Sequence, residues 1–583
     1  MLIRPSVVYR LSAALMIAAF VLTACSGASP VPPQPPLPTP TPTAAQAPAA
    51  STAAAPSAGS VVIGVPQEPE HLNVLLSTQP IADAVAMLVV EGLIAQDAEA
   101  QFIPVLATEI PSVANGGVSA DGLTVTYHLR QGVKWSNGGD FTCADVVFTW
   151  KAGADLNRGA RTAGYEDIES VTCPNANTAV LKFSRLYAPF LTLFPVVLPA
   201  SSGDPADMTA WAYNRMPVGT GPFLLKEWKA GASITLVKNP AYRGQVGVDQ
   251  IVLRIIPSRA AGLQLIETSD IDILWGLTES DLNVLDALAQ DGVRYSALAS
   301  GETESLILNL ADPTVDAPAD PLKHPHPLLA DLRVRQAIQL GLDKQRLADV
   351  LLAGKAEPAA STLNRGWAAC AQPVSEFNPD KAQQLLEEAG WLPGPDGIRL
   401  KESVKLRLRY QTTADDPLRQ QAQALIVEMM KAIGVDLHVE NAPADVLFAS
   451  WGRDGLRKHG RFDVLQFTSS PSLADPGRYL ADNFAAESIP TAANKGSGSN
   501  YSRWINRDFD VLLAAAAAAP DLDQRRAIYC QAAALVSAEL PRVVLYNRLL
   551  ISAYRTRVQG FNPSPGIMGF AYGAQNWKLE QTH

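Results

Sequence analysis

Apolar positions recur with two different periods along this chain, and the change of period marks its organisation. Near residue 60, Val61-Val62-Ile63-Gly64-Val65 is a short unbroken apolar run, which predicts a strand covered on both faces. Leu123, Val125, Tyr127 and Leu129 alternate with Thr124, Thr126, His128 and Arg130. That period of two predicts a half-buried strand, ended by Gln131-Gly132. Thr142 stands three residues before Asp145 and just ahead of Val146-Val147-Phe148, which predicts a capped helix start with an acid in its first turn. Residues Thr178 to Phe183 predict a further strand. From about residue 330 the period lengthens. Val334, Ala337, Ile338, Gly341 and Leu342 share one helical face. Asp343 caps a next helix running to Leu352, with Gly354 near its end. Asn378-Pro379 supplies an N-cap and a first-turn proline for the stripe Ala382, Leu385, Leu386 and Ala389, stopped by Gly390. Ala422, Leu425, Ile426 and Met429 repeat the design up to Gly434, and Val435 to Val439 reads as a strand. Asp521 and Gln524 have the spacing of a capping box. Helices alternating with short strands predict α/β lobes.

The N-terminus is of another kind. Arg4 and Arg10 precede the apolar stretch Leu11 to Leu22, with no acid among the first ten residues. Twelve apolar residues fall short of the roughly 20 that a membrane-spanning helix needs. A charged segment before a short apolar one predicts a secretory signal. The stretch ends in Leu22-Thr23-Ala24-Cys25, which resembles a bacterial lipobox. The resemblance implies a lipoprotein signal peptide over 1–24, with Cys25 as the lipid-modified first residue of the mature chain. Residues 25–59 are rich in Pro and Ala and cannot form a core, so they predict a disordered spacer. At ~3.1 Å per residue such a segment reaches up to about 100 Å.

Composition narrows the function. With 583 residues, 47% hydrophobic and 18% charged, the chain is long and apolar enough for about three lobes with cores of their own. The 47 Lys+Arg against 57 Asp+Glu give a net charge of −10, which excludes a protein built to grip nucleic-acid phosphates. Five cysteines are too few for a disulfide scaffold. After Cys25 four remain, and in an oxidising compartment Cys143–Cys173 with Cys370–Cys530 is one of three pairings, free thiols being the alternative. No phosphate loop, nucleophile elbow, H-E-x-x-H or C-x-x-C is present. His324 and His326 lie among prolines and read as a rigid lead into the next helix, not as a metal pair. No metal, no cofactor and no catalysis are expected.

Four ordered blocks then carry a resemblance. The first runs from Ser119-Ala120-Asp121-Gly122-Leu123 through His128-Leu129-Arg130 to Trp135, with Phe141-Thr142 and Asp145-Val146. The second is Gly219-Thr220-Gly221-Pro222-Phe223, then Trp228, Gly231 and Asn239-Pro240-Ala241-Tyr242-Arg243-Gly244. Asp331 to Ile338 with Leu342-Asp343-Lys344, and Asn378 to Trp391, complete the set. From about Val61 to Trp577 the chain resembles the solute-binding proteins of peptide/nickel-type ABC importers, the oligopeptide- and dipeptide-binding family (family 5). The resemblance implies an α/β clamshell of the large type II periplasmic-binding-protein kind, with an extra subdomain inserted in its first lobe. Lobe 1 is expected over 60–95, 212–302 and 541–583, the inserted subdomain over 96–211, and lobe 2 over 303–540. It implies a non-enzymatic monomer on the extracytoplasmic face of the bacterial cell membrane, in the periplasm or at the cell surface, anchored through Cys25. Such a protein captures a peptide-like or other polar solute and hands it to permease subunits and their ATPases. A surface-anchored sensor with the same fold is the alternative, followed by an anchored hydrolase.

One departure bears on the ligand. Peptide binders of the family carry a W-x-x-D-x-x-D-P segment whose first Asp pairs with the peptide ammonium. Here Asp475-Pro476 matches its end, but Ser472 stands where that Asp is expected and Ser469 where the Trp is. A serine bonds an ammonium without neutralising it. Either another acid supplies the charge or the ligand has no free N-terminus. Further ligand-binding candidates are Trp275 after an apolar run, Gln466 in the same segment, Thr220 between two glycines, and Asn309 and Tyr546 near the expected hinge.

Overall fold

The computed structural model describes residues 59–154, 161–318 and 320–580. Cys25, and with it the signal, anchor and spacer expected before residue 59, lies outside the described residues.

The apolar run near residue 60 forms β1 (Ser60–Val65), buried at every position. The alternating segment forms β2 (Thr124–His128), which with β3 (Ile168–Asn175) and β4 (Thr178–Phe183) makes a small antiparallel sheet in the order β2-β4-β3. Val125 and Tyr127 turn inward beside Trp135, Phe141 and Val146 in a core of this region's own. The helix Cys143–Gly153 packs there, and both halves of the Thr142/Asp145 capping box are made. A disulfide joins Cys143 at its start to Cys173 on β3.

The chain continues as β5 (Phe223–Lys229), β6 (Ser233–Lys238), β7 (Gln250–Ile255), β8 (Ile273–Leu277) and β9 (Val293–Leu308). Then follow β10 (Arg407–Gln411), β11 (Asp436–Val439), β12 (Val464–Ser469) and β13 (Arg542–Arg555). Together with β1 these make one ten-stranded sheet, ordered β11-β10-β12-β9-β13-β8-β1-β7-β6-β5. β1 lies parallel between β7 and β8, which explains its unbroken apolar run: such strands are covered on both faces.

The long antiparallel strands β9 and β13 carry the sheet from one side to the other. The first part of β9, Val293–Ala299, pairs with Leu549–Arg555, close to β8. Its last part, Thr303–Leu308, pairs with Arg542–Asn547 on one side and with β12 on the other. The expected lobe boundaries at 302/303 and 540/541 fall in the middle of β9 and just before β13.

Helices flank the β10-β11-β12 side. Leu332–Leu340, Lys344–Leu351, Pro379–Glu388, Pro417–Ala432 and Leu522–Glu539 each start at a side-chain cap: Asp331, Asp343, Asn378, Asp416 and Asp521. Each cap satisfies a backbone N–H that the first helical turn leaves free. Arg333 grips Asp331, and Arg335 donates to the carbonyls of Leu329, Ala330 and Glu539, so both arginines hold the fold. A second disulfide ties Cys370 in a loop to Cys530 on the last of these helices. His326 is buried, with Nδ1 accepting from the N–H groups of Leu328 and Leu329 and Nε2 facing Asp463. No helix among the described residues is long and apolar enough to cross a membrane.

Candidate functional site

A cavity of about 1020 Å³ opens where several segments converge. One wall comes from Met87–Val105, from loop residues between Tyr187 and Pro195, and from the stretch Pro565–Asn576. The facing wall is the loop Ser470–Asp475 with Arg478, and Ser300 and Glu302 of β9 close it toward the centre of the sheet. Contacts bridge these walls. Gln96 Nε2 donates to the Leu473 carbonyl (2.7 Å) and Arg365 Nη2 to the Ala98 carbonyl (2.6 Å). Arg525 donates to the Ala188 carbonyl, and the Phe102 ring lies 6.1 Å from that of Trp367.

The lining is apolar over most of its area, with Ile94, Phe102, Leu191 and Met568 among its members, so its charges stand out. Glu91 accepts two bonds from Arg243 (2.6 and 2.8 Å) and a third from the Thr220 hydroxyl (2.8 Å). Arg161 is bidentate to Asp83. Burial pushes the Asp83 carboxyl above the ordinary carboxylate range, with Arg161 working the other way. Asp475 is held by Arg525 (3.1 Å) and by the Tyr529 hydroxyl (3.0 Å). Burial, reinforced by the Asp475 charge, raises the Tyr529 phenol. Arg478 faces Asp482 at 3.3 Å.

Behind the cavity, where β9, β12 and β13 run side by side, lies a polar network. Fully buried Glu304 accepts from Arg419 Nε (3.0 Å), Gln466 Nε2 (3.1 Å) and the Thr468 hydroxyl (2.6 Å). Arg548 donates bidentately to Glu279 (2.8 and 3.1 Å). Burial opposes the Arg548 charge, but Glu279 outweighs it and raises the guanidinium.

Of the residues expected from sequence to bind the ligand, Ser472 and Asp475 line the cavity and the others do not. Ser472 Oγ accepts the Asp475 N–H (3.3 Å). Ser469 accepts from the buried Arg542, and Gln466 is engaged by Glu304 and Tyr410, so both support the wall from behind. Trp275 packs edge-on against Phe570 (5.7 Å). Asn309 is buried and donates to the carbonyls of Gly460 and Phe462 and accepts from the Ala311 N–H. Tyr546 is fully buried, its phenol raised by burial and then by Glu304. Thr220 sits one layer back and steadies Glu91. Its neighbouring glycines serve packing: a Cβ on Gly219 would fall 1.8 Å, and one on Gly221 2.7 Å, from the Val89 carbonyl oxygen. Sequence reasoning missed Glu91, Gln96, Arg130, Arg243 and Glu302. Arg130 and Arg243 do stand in the blocks that carry the family resemblance, but nothing local marks any of the five as facing a cavity.

Comparison with known proteins agrees with this geometry. Residues 101–489 match the family model for bacterial extracellular solute-binding proteins, family 5. The oligopeptide-binding protein AppA of Bacillus subtilis is 25% identical over 579 residues, covering 97% of each chain. The nickel-binding periplasmic protein of Escherichia coli is 26% identical over 491 residues, covering 82% of this chain and 86% of that protein. The structure of HbpA2 from Haemophilus parasuis superimposes with a TM-score of 0.71 at 21% identity, covering 90% of this chain and all of the other, which supports the two-lobed clamshell fold. A match over two thirds of the sequence, in register with a sheet and cavity of this kind, places the chain in the bacterial extracellular solute-binding proteins of family 5, transport proteins of ABC importers and not enzymes.

Proposed function

We propose that this protein is the lipid-anchored capture component of an importer, holding a peptide-like or other polar solute between two lobes and delivering it to a membrane permease. The cavity carries the reading. It lies between segments from the two sides of β9 and β13, and hydrogen bonds from Gln96 to Leu473 and from Arg365 to Ala98 join those segments. A solute touching both walls stabilises the closed arrangement, and differential contact of that kind is what shifts such an equilibrium. The lobes proposed are 60–95, 212–302 and 541–583 for the first, 96–211 inserted in it, and 303–540 for the second. β9 and the start of β13 act as the hinge. Cys25 supplies the tether, and the protein works as a monomer.

Native mass spectrometry of the purified protein tests this, joined to small-angle scattering before and after a solute mixture is added. The expected result is one solute per chain, recovered unaltered on denaturation, with a smaller radius of gyration when bound. A bound compound recovered in converted form, or no retained mass and no compaction with any solute, overturns it. Cys25→Ala is expected to move the protein from the membrane fraction to the soluble one.

A further inference from the structure

Among the described residues, one carboxylate and one guanidinium of the cavity lining have no ionic partner. Among its acids, Glu91 is neutralised by Arg243 and Asp475 by Arg525. Among its cations, Arg161 is held by Asp83, Arg243 by Glu91 and Arg478 by Asp482. Glu302 is left with a single side-chain partner, the Ser470 hydroxyl (2.6 Å). Arg130 donates its Nε–H to the Val105 carbonyl (2.5 Å) and meets no carboxylate among the described residues. Both are half-buried in a mainly apolar lining, where an unpaired charge is costly until something completes it.

The backbone places Glu302 there by a specific irregularity. Ala299 pairs with Leu549 and Thr303 with Asn547, so four steps along β9 face two along β13. Ser300-Gly301-Glu302 leaves the ladder as a bulge, with Gly301 in the left-handed region at φ 88°. A Cβ on Gly301 would lie 2.6 Å from Leu473 Cδ2, so the bulge seats against the 470–475 loop. Bulges re-aim side chains beside binding sites, and this one turns Ser300 and Glu302 into the cavity. The facing loop offers no alternative acid, because Asp475 is held by Arg525 and Tyr529, and Ser472 is uncharged.

We propose that Glu302 receives the cationic group of the solute and Arg130 an anionic group, so that the cavity selects a zwitterion with an apolar body. The inference rests on the capture reading above and adds which residues read the charge. An acid from the hinge strand thereby takes over the neutralising role that Ser472 cannot fill.

The test uses the full-length protein and free-ended apolar di- to hexapeptides, each also in N-acetylated and C-amidated form, measured by isothermal titration calorimetry and native mass spectrometry. For the wild type, N-acetylation and C-amidation are each expected to weaken binding tenfold or more. Glu302→Gln is expected to weaken the free-ended peptide tenfold or more and to leave the N-acetylated one within twofold. Arg130→Gln is expected to do the same for the C-amidated form. The wild-type comparison of blocked and free peptides needs no variant and stands if a substitution disturbs folding. Equal binding of blocked and free peptides overturns the assignment, as does unchanged affinity in a folded Glu302→Gln protein. Failure of every peptide to bind also overturns it. In that case a different solute retained through purification leaves the capture reading intact, whereas absence of any retained solute and of compaction ends both.

Discussion

At the scale of single residues, two buried charges make opposite predictions. Lys344 is buried at the start of its helix, and among the described residues its ammonium meets no acceptor. Burial alone lowers its pKa to about 8. A lysine that titrates lower when folded than when unfolded destabilises the native state while charged. The penalty is complete below about pH 8 and fades as pH rises toward the unfolded value. Lys344→Met is therefore expected to raise stability at pH 7 by about 1–3 kcal/mol. Thermal unfolding should show this advantage shrinking between pH 8 and 10. Glu279 is the opposite case. Burial works to raise its carboxyl, but the Arg548 guanidinium outweighs burial and holds it below the ordinary carboxylate value. Its contribution is present above the unfolded value near 4.5 and is lost as pH falls through the folded value. Glu279→Gln leaves Arg548 with the Thr468 hydroxyl (3.0 Å) and, as its carboxylate, the longer Glu304 contact at 3.6 Å. The expected cost is about 3 kcal/mol at pH 7 by thermal or denaturant unfolding, with the gap between variant and wild type closing below pH 4.5.

At the scale of elements, local chemistry explains what could be read in advance. Helix starts at Asp343, Asn378 and Asp521 were legible because the cap and the first turn lie within four residues of each other, whereas the cap at Asp331 was read only as part of a helical stripe beginning at Val334. The strand β1 was legible because both its faces are covered. The strand β9 was not, since its bulge at Ser300-Gly301-Glu302 and a second register shift after Glu304 interrupt the alternation that announces a strand. The site was legible only in part, for a related reason. Which of its charges are free depends on pairings such as Arg243 with Glu91 and Arg525 with Asp475, and no local pattern shows those. Trp275 and Tyr546 lie on β8 and β13 as the apolar pattern suggests, but their faces are decided by packing across the sheet. The Cys370–Cys530 bond also acts on whole elements. It closes a loop of 160 residues and fastens a loop carrying Arg365 and Trp367 to a helix carrying Arg525. Loop-closure entropy for that length is worth about 5 kcal/mol. Cys370→Ala with Cys530→Ala is expected to cost about 1.5 kcal/mol more than the pair Cys143→Ala with Cys173→Ala, whose loop spans 30 residues, and so to lower the melting temperature by about one to two degrees more.

At the scale of the whole molecule, affinity depends on residues that never touch the solute. Arg365 does not line the cavity, yet its guanidinium donates to the Ala98 carbonyl and so joins the loop carrying Trp367 to the segment that forms one cavity wall. A hydrogen bond from a charged donor contributes about 1.5–3 kcal/mol. If the bond forms only on closure, removing it lowers the closed population by that amount, and the apparent Kd rises by the same factor. Arg365→Ala is therefore expected to weaken binding about 10- to 100-fold. Peptide-end blocking should still discriminate as in the wild type, because Glu302 and Arg130 are untouched. Scattering should show a larger radius of gyration at half-saturating solute and a return to the wild-type value at full saturation. The opposite pattern, an unchanged Kd with a lower melting temperature, would mean that Arg365 only braces its own loop. In that case, closure would rest on the Gln96–Leu473 and Arg525–Ala188 hydrogen bonds and the Phe102–Trp367 ring contact.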